Sequence, residues 1–521
     1  MSADALIARF EQEKSRALGR SRRRDAGLYY TPPQIAARVV EVALRHGVAT
    51  PGDANRGSGA DPVSIRVLDP CAGAGAFLVA AARAGLRDLH GLDLDPDALC
   101  VARQALRLCG ASASLRRADA LRHSPGRPAD LVVSNPPYGH VSDARERAFL
   151  LRTFPALRGG EIDRYAAFLL RALQLVRPGG AAALLVPDTW MFLARAGALR
   201  EAILAQAEVA AIVDLGKPFA SAKDTRVHAV VMVRRPSPAR PTFVARGASP
   251  LAPAAREELA AAARRGWFVY RSRDERDLCA AMEEASVPLG SACAVGYGMR
   301  TGANARHVAR REPRALEVGL VGGEDVLPYA LRWRPKALLH PEPLQALVRR
   351  QLGAPRVAVQ RIRTNAQAPW ARWLEAAMVP ADRVCLDSLS TLACADEERL
   401  WALLALVQSV ALQRHHRLRT TDVNVKPSAL RELPVPRPLL ESPEELAGLA
   451  RLRAVAAGSP AAHGLDRRID ACVYRAFSLS PRLVRAAEHG FWGERFDEEC
   501  RVLEQAMSDP SATVASQEEI A

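Results

Sequence analysis

The chain has 521 residues, 49% hydrophobic and 25% charged, and its 72 Lys and Arg against 57 Asp and Glu give a net charge of +15. That length supplies two or three domains with cores of their own and excludes a disulfide-stapled miniprotein, a coiled coil and a collagen-like fibre. The longest apolar stretch, 400–412, contains Gln408 and is too short to cross a bilayer, residues 1–20 lack a signal-peptide core, and the nine cysteines are scattered without C-x-x-C spacing. These features predict a soluble, cytoplasmic chain with reduced thiols, no membrane partner and no metal site. The positive charge points to a polyanionic partner, although nearly all of it is Arg in an Ala-rich chain, a composition that a GC-rich coding sequence also produces.

In chain order, residues 1–25 read as a short helix followed by a basic arm, Arg20, Arg22, Arg23 and Arg24. From 26 to 237, short apolar runs at 65–68, 88–92, 130–133, 181–187, 210–213 and 228–233 alternate with helix-length segments, the pattern of a parallel, doubly wound sheet. The last two runs lie about fifteen residues apart with no amphipathic helix between them, which predicts an antiparallel pair at one edge. The Pro- and Arg-rich stretch 234–241 reads as a boundary. Beyond it the pattern is that of a mixed α+β domain with a strong helix over 397–417, and the polar tail from Met507 has too little apolar surface to fold.

The run from Val67 to Leu78, which includes Asp69, Cys71, Ala72, Gly73 and Gly75, follows a predicted strand and opens an Ala-rich helix. Its glycines let a nucleotide-like ligand approach the backbone, and the missing third glycine of the dinucleotide fingerprint argues against NAD. Asp93 ends the next strand, in position to receive ribose hydroxyls, whereas Asp95-Pro96 reads as a helix N-cap with proline at N1. Asp119 follows a third strand, where its carboxylate can accept an adenine amino hydrogen. The most specific element is Asn135-Pro136-Pro137-Tyr138, a strand that stops at a rigid turn. Two prolines fix φ and remove two N–H donors, so carbonyls and the Asn135 amide oxygen converge on one external amino group, and the Tyr138 ring can stack on a planar base or amide.

With these motifs in this order, the chain resembles the TaqI-like family of N6-adenine DNA methyltransferases of type II restriction-modification systems, over most of its length. Tyr30-Thr31-Pro32-Pro33 looks like the family's first cofactor motif, preceding the Asp69 loop as in the gamma order. The stretches 165–169, 177–180 and 186–190 match its helix, turn and fifth strand, and 215–219 matches the segment whose aromatic, here Phe219, stacks on a flipped adenine. The second half is similar to the family's target recognition domain at 298–304, 358–363, 430–436 and 469–474. Ala120 stands where some members carry an aromatic, and Asp69 where some carry Glu.

The resemblance implies a Rossmann-like α/β methyltransferase sheet with an antiparallel edge strand, plus a C-terminal α+β target recognition domain. The expected divisions are a basic arm at 1–25, a methyltransferase domain at 26–237, a recognition domain at 238–478 and a helical extension with a disordered tail at 479–521. It implies S-adenosyl-L-methionine as cofactor, held by Tyr30, Thr31, Asp69, Cys71, Ala72, Gly73, Asp93, Leu94, Asp119 and Pro137, and catalytic roles for Asn135, Pro136, Tyr138 and Phe219. The implied partners are double-stranded DNA and a separate cognate restriction endonuclease, with the chain a monomer; no nuclease domain is expected before Tyr30. The competing readings are methylation of RNA adenine or of a protein glutamine, and a DNA-binding relative without catalysis.

Overall fold

The computed structural model describes all residues except 1, 27–30, 48–64, 124, 220–224, 236–240, 252, 265, 268–271, 285, 303, 316, 340–343, 362–371, 421–423 and 509–521. The chain divides into two units, Met1–Ser272 and Arg273–Ala521.

The first unit is built on a nine-stranded sheet. Its strands are β1 (Arg66–Asp69), β2 (Asp88–Asp93), β3 (Ser114–Arg117), β4 (Ala129–Ser134), β5 (Val176–Pro187), β6 (Ala207–Asp214), β7 (Val227–Arg234), β8 (Phe243–Arg246) and β9 (Ser249–Pro250). They lie in the order β3-β2-β1-β4-β5-β7-β6-β8-β9. Strands β1 to β5 are mutually parallel, and β7 is antiparallel to both neighbours. The α-helices among its described residues are α1 (Ala3–Ala26), α2 (Pro33–His46), α3 (Ala76–Arg83), α4 (Pro96–Leu108), α5 (Ala144–Thr153), α6 (Arg164–Leu175), α7 (Thr189–Phe192), α8 (Gly197–Gln206) and α9 (Arg256–Ala262). Helix α2 starts with proline at N1 and buries Ala36, Val39, Val40 and Ala43, a stripe at helical spacing. Residues of β6 are buried along its whole length, so alternation disappears, as it does where helices cover both faces of a sheet. Chain order reverses at β1, between β2 and β4, and a ligand crevice opens outside the carboxyl ends of the strands at such a point.

Several expectations need correction. The antiparallel strand is not at the edge: β7 is inserted between β5 and β6, and β8 and β9 continue the sheet. Its residues from Val227 to Val233 are buried, which an edge does not achieve. Because β8 pairs in parallel with β6, the first unit runs on to Ser272 instead of ending at 237. Residues 3–26 form one 24-residue helix whose Ala3 and Ile7 join the core, and the arginine run lies within it.

The second unit contains two four-stranded sheets followed by a helical region. One sheet carries Ala294–Tyr297, Leu389–Ala393, Arg356–Gln360 and Ala376–Val379, and the other is built around Val318–Val321. The helix expected over 397–417 is two, Glu397–Gln408 and Val410–Arg419. They break at Ser409, whose extended backbone (ψ 151°) and Oγ, accepting from Leu412 N–H at 3.3 Å, make it the N-cap of the second. Residues from 479 are no appendage, since Leu483, Val484, Ala487 and Leu503 share a core with Leu400 and Leu403. The tail expected to be unfolded lies, from 509 onward, outside the described residues. No helix among the described residues is long and apolar enough to cross a membrane.

Inside this core Arg467 is fully buried, its guanidinium 2.7 Å from Glu488 Oε1 and 3.0 Å from Asp470 Oδ2, while Tyr474 donates to the same Glu488 oxygen at 2.5 Å. Truncation leaves two buried carboxylates without their cation, so Arg467→Ala should lower stability by about 3–5 kcal/mol. Urea unfolding checks it; a loss of about 1 kcal/mol or less would show that the network is solvated.

Candidate active site

The site is built from the carboxyl ends of β1 to β4, at the point where strand order reverses, and from Thr31, two residues before α2. Strand β1 stops at Asp69, whose Oδ1 accepts Cys71 N–H at 3.0 Å and the Ser134 hydroxyl at 2.8 Å. The other oxygen, Oδ2, is buried with no hydrogen-bond partner among the described residues. Burial pushes this carboxyl up to about 7, against the two hydrogen bonds, which favour the charged form.

The turn after Asp69 is tied to β2. Ala72 N–H donates to the Leu92 carbonyl at 2.8 Å and Gly73 N–H to Asp93 Oδ2 at 2.7 Å. Gly73 has φ +49°, and a Cβ there would point into space with no atom within 4 Å. Gly75, at φ +92°, could not carry a side chain, since its Cβ would lie 2.9 Å from that of Ala102 on α4. Asp93 Oδ1 accepts Asp95 N–H at 2.9 Å, and burial raises the carboxyl above its ordinary value. Asp95 caps α4 by accepting Asp97 N–H at 3.0 Å, with Pro96 at N1, and is also ion-paired with Lys14. Between the two acids Leu94 is 63% exposed. Strand β3 follows in register: Ala118 N–H donates to the Asp93 carbonyl at 3.0 Å, and the next residue, Asp119, accepts Leu121 N–H at 3.0 Å.

At the end of β4, Asn135 Nδ2 donates to Thr31 Oγ1 at 3.0 Å, which sets the direction of the amide and leaves Oδ1 as its acceptor end. Pro136 is buried and Pro137 half-buried. The Tyr138 hydroxyl donates to the Leu185 carbonyl of β5 at 3.1 Å. Its ring meets Tyr165 at 6.3 Å and Phe219 at 6.2 Å, both edge-on, at 89° and 63°.

The structure thus gathers Thr31, Asp69, Cys71, Ala72, Gly73, Asp93, Leu94, Asp119, Asn135, Pro136 and Pro137 along adjoining strand ends, and brings Tyr138 into contact with Phe219. Tyr30 lies outside the described residues. It does not hold two parallel ring faces with a gap between them, because Tyr138 and Phe219 touch edge to face and both are buried. Sequence reasoning gave no place to Ser134, which bonds Asp69, or to Lys14, which pairs with Asp95, and read Tyr165 only as part of a helix. Ser134 had a signal, a hydroxyl closing an otherwise apolar strand; Lys14, in a polar helix, had none.

Residues 16–239 match the model of the N-6 DNA Methylase family. The chain is 28% identical over 209 residues to the type II methyltransferase M.VspI of Vibrio sp. (strain 343), covering 39% of this chain and 47% of that one. It is 32% identical over 186 residues to the type II methyltransferase M.TthHB8I of Thermus thermophilus, covering 33% and 40%. It therefore spans less than half the length of either relative. The type IIL restriction-modification enzyme MmeI, solved in complex with DNA, shares the fold over 98% of this chain and 82% of its own, with a TM-score of 0.61 at 12% identity. Strands β1 to β7, the Asp69 turn and the Asn135-Pro136-Pro137-Tyr138 turn all lie inside residues 16–239, the segment that is similar to the N-6 DNA Methylase family.

Proposed function

We propose that the chain is a site-specific DNA methyltransferase that modifies adenine at N6, using S-adenosyl-L-methionine. The observation that carries this reading is the Asn135 amide, held by Thr31 at the end of β4, one residue after Ser134, whose hydroxyl donates to the buried Asp69. The residues fit the cofactor: Asp69 Oδ2 is a buried acceptor suited to its ammonium group, the remaining lone pairs of Asp93 suit vicinal ribose hydroxyls, and Leu94 and Asp119 suit the face and amino group of its adenine. When bound, the cofactor supplies an electrophilic methyl group on a sulfonium sulfur.

The difficulty of the reaction is that the N6 lone pair of adenine is delocalised into its ring. Asn135 Oδ1 and the Pro136 carbonyl each accept one N6 hydrogen, which favours a pyramidal nitrogen with its lone pair exposed for attack. Both acceptors are fixed before substrate arrives, one by Thr31 and the other by the proline turn. The target base has to leave the duplex to reach them, and a ring face becomes available to it when Tyr138 and Phe219 separate. Tyr138, anchored through its hydroxyl, stays, and Phe219 yields.

DNA is the substrate that charge supports. Residues 296–363 carry thirteen Lys and Arg against five Asp and Glu, which is more than half of the chain's excess. Arg300, Arg306, Arg310, Arg332 and Arg334 among them are exposed, and the Arg300 side chain is 85% accessible. The second unit accordingly reads the target sequence. The chain is the monomeric, cytoplasmic modification half of a restriction-modification system, with a separate endonuclease acting at the same site.

Expression in a methylation-free host followed by single-molecule sequencing should reveal N6-methyladenine at one recurrent DNA sequence; genomic DNA without it would defeat the proposal. Asn135→Ala should lower kcat by at least about a hundredfold with cofactor affinity nearly unchanged, since it deletes an acceptor used mainly in the transition state. Near-normal turnover in steady-state assays would remove the mechanism.

Asp69 makes cofactor binding proton-linked. With its carboxyl at about 7 in the free protein, it is mostly protonated at pH 6, and an ammonium at Oδ2 expels that proton. Affinity should rise between pH 5.5 and about 7, with nearly one proton released per cofactor at pH 6, read by calorimetry in buffers of different ionisation enthalpy. The same raised value means that stability falls as pH climbs from about 4 through 7, because the unfolded chain gives up this proton first. Asp69→Asn should flatten both profiles, and binding without proton release would take Asp69 out of the ammonium site.

If the five exposed arginines meet phosphates, log affinity for DNA should fall with log salt at a slope of about −4.5. Replacing Arg300 and Arg306 by Gln should flatten the slope by about two, and a flat profile in the unmodified chain would point to a protein substrate.

A further inference from the structure

Helix α1 begins before the segment that matches the family, which starts at residue 16. Its first turns are docked by apolar contacts of Ala3 and Ile7 and by an ion pair between Asp4 and Arg83 at 2.9 Å. Four residues beyond Phe10 the helix presents Lys14, whose side chain is 24% exposed and whose ammonium lies 5.3 Å from the centre of the Phe10 ring. Lys14 reaches Asp95, to which it is ion-paired, and stands 3.9 Å from Asp97. Asp93, Asp95 and Asp97 crowd three carboxylates into five residues at the end of β2. Asp95 is also the residue whose N–H holds Asp93 Oδ1, at 2.9 Å.

We infer that Lys14 is a positioning residue for the cofactor: by neutralising and pinning Asp95, it fixes the loop whose N–H orients the Asp93 carboxylate toward ribose. This rests on the cofactor assignment above and adds an element from outside the matched domain. With Lys14 gone, Asp95 keeps only the bond from Asp97 N–H and is held less firmly, and its negative charge acts uncompensated on Asp93. Both effects loosen the acceptor pair that the ribose hydroxyls require. Ground-state and transition-state binding suffer alike, because the ribose does not change during the reaction.

The test uses the full chain and S-adenosyl-L-methionine itself. Lys14→Met should raise the Kd by calorimetry and the KM for cofactor about tenfold, with kcat at saturation nearly unchanged, and Lys14→Arg should restore both to within about twofold. Asp4→Asn, which removes the other ion pair of α1, should lower the melting temperature while leaving the cofactor KM as it was. Asp95→Asn keeps the cap but removes the ion pair and the charge together, so it should raise the KM severalfold, through the lost pinning alone, even if Lys14→Met does not fold. An unchanged KM in both Lys14→Met and Asp95→Asn, or an equal rise in Asp4→Asn, would overturn the inference while leaving the methyltransferase reading in place. Failure of the unmodified chain to bind cofactor would overturn that reading and this inference together.

Discussion

Asp93 is held at both oxygens by main-chain N–H groups from two loops, that of Gly73 at 2.7 Å and that of Asp95 at 2.9 Å, and the rest of the site is arranged around it. A carboxylate withdrawn from water keeps its charge only when hydrogen bonds replace the lost solvent, and backbone donors do so without the freedom of a side chain. The two loops are thereby drawn together over the end of β2. One brings Asp69 with it, and Asp69, through Ser134, reaches the end of the strand that Asn135 follows. Four strand ends therefore behave as one rigid rim, although each is contributed by a separate stretch of chain.

That rim is polar and preformed on one side and aromatic on the other. The amide of Asn135 and the Asp69 carboxylate are constrained by short hydrogen bonds to neighbours, whereas Tyr138 and Phe219 are held by edge-on ring contact, which is worth about 1 kcal/mol beyond burial. Groups that accept hydrogens from a reacting amino group gain from rigidity, and rings that admit a large planar guest gain from being separable at small cost. The division of mechanical character follows the division of chemical duty.

Much of this was legible from local sequence because the chemistry is local. Asp69 with its glycines, Asp93, and the double-proline turn after Asn135 each compress their function into a few adjacent residues at a strand end. Elements defined by distant partners were not legible. The position of β7 between β5 and β6 leaves no mark on its composition, since a strand buried on both faces reads the same wherever it sits. The break at Ser409 depends on one hydroxyl between two stretches that each read as helix, a position a neutral helix residue fills just as well. Lys14 illustrates the limit in the other direction, because its partner is 81 residues away and its surroundings in sequence are those of a solvated face.

The place of β7 also bears on the order in which the chain assembles. As the ribosome releases the first unit, β5 and β6 emerge before the strand that belongs between them, and until β7 appears β5 presents a long open edge with Ala181 to Pro187 unsatisfied. An exposed edge of that length and apolarity invites pairing with other chains. β6 and β7 are consecutive antiparallel strands twelve residues apart, so they can pair with each other and dock together onto β5, closing the gap in one event. A nascent chain that has emerged through β6 but not β7 displays that edge, a state in which chaperone cover protects against aggregation.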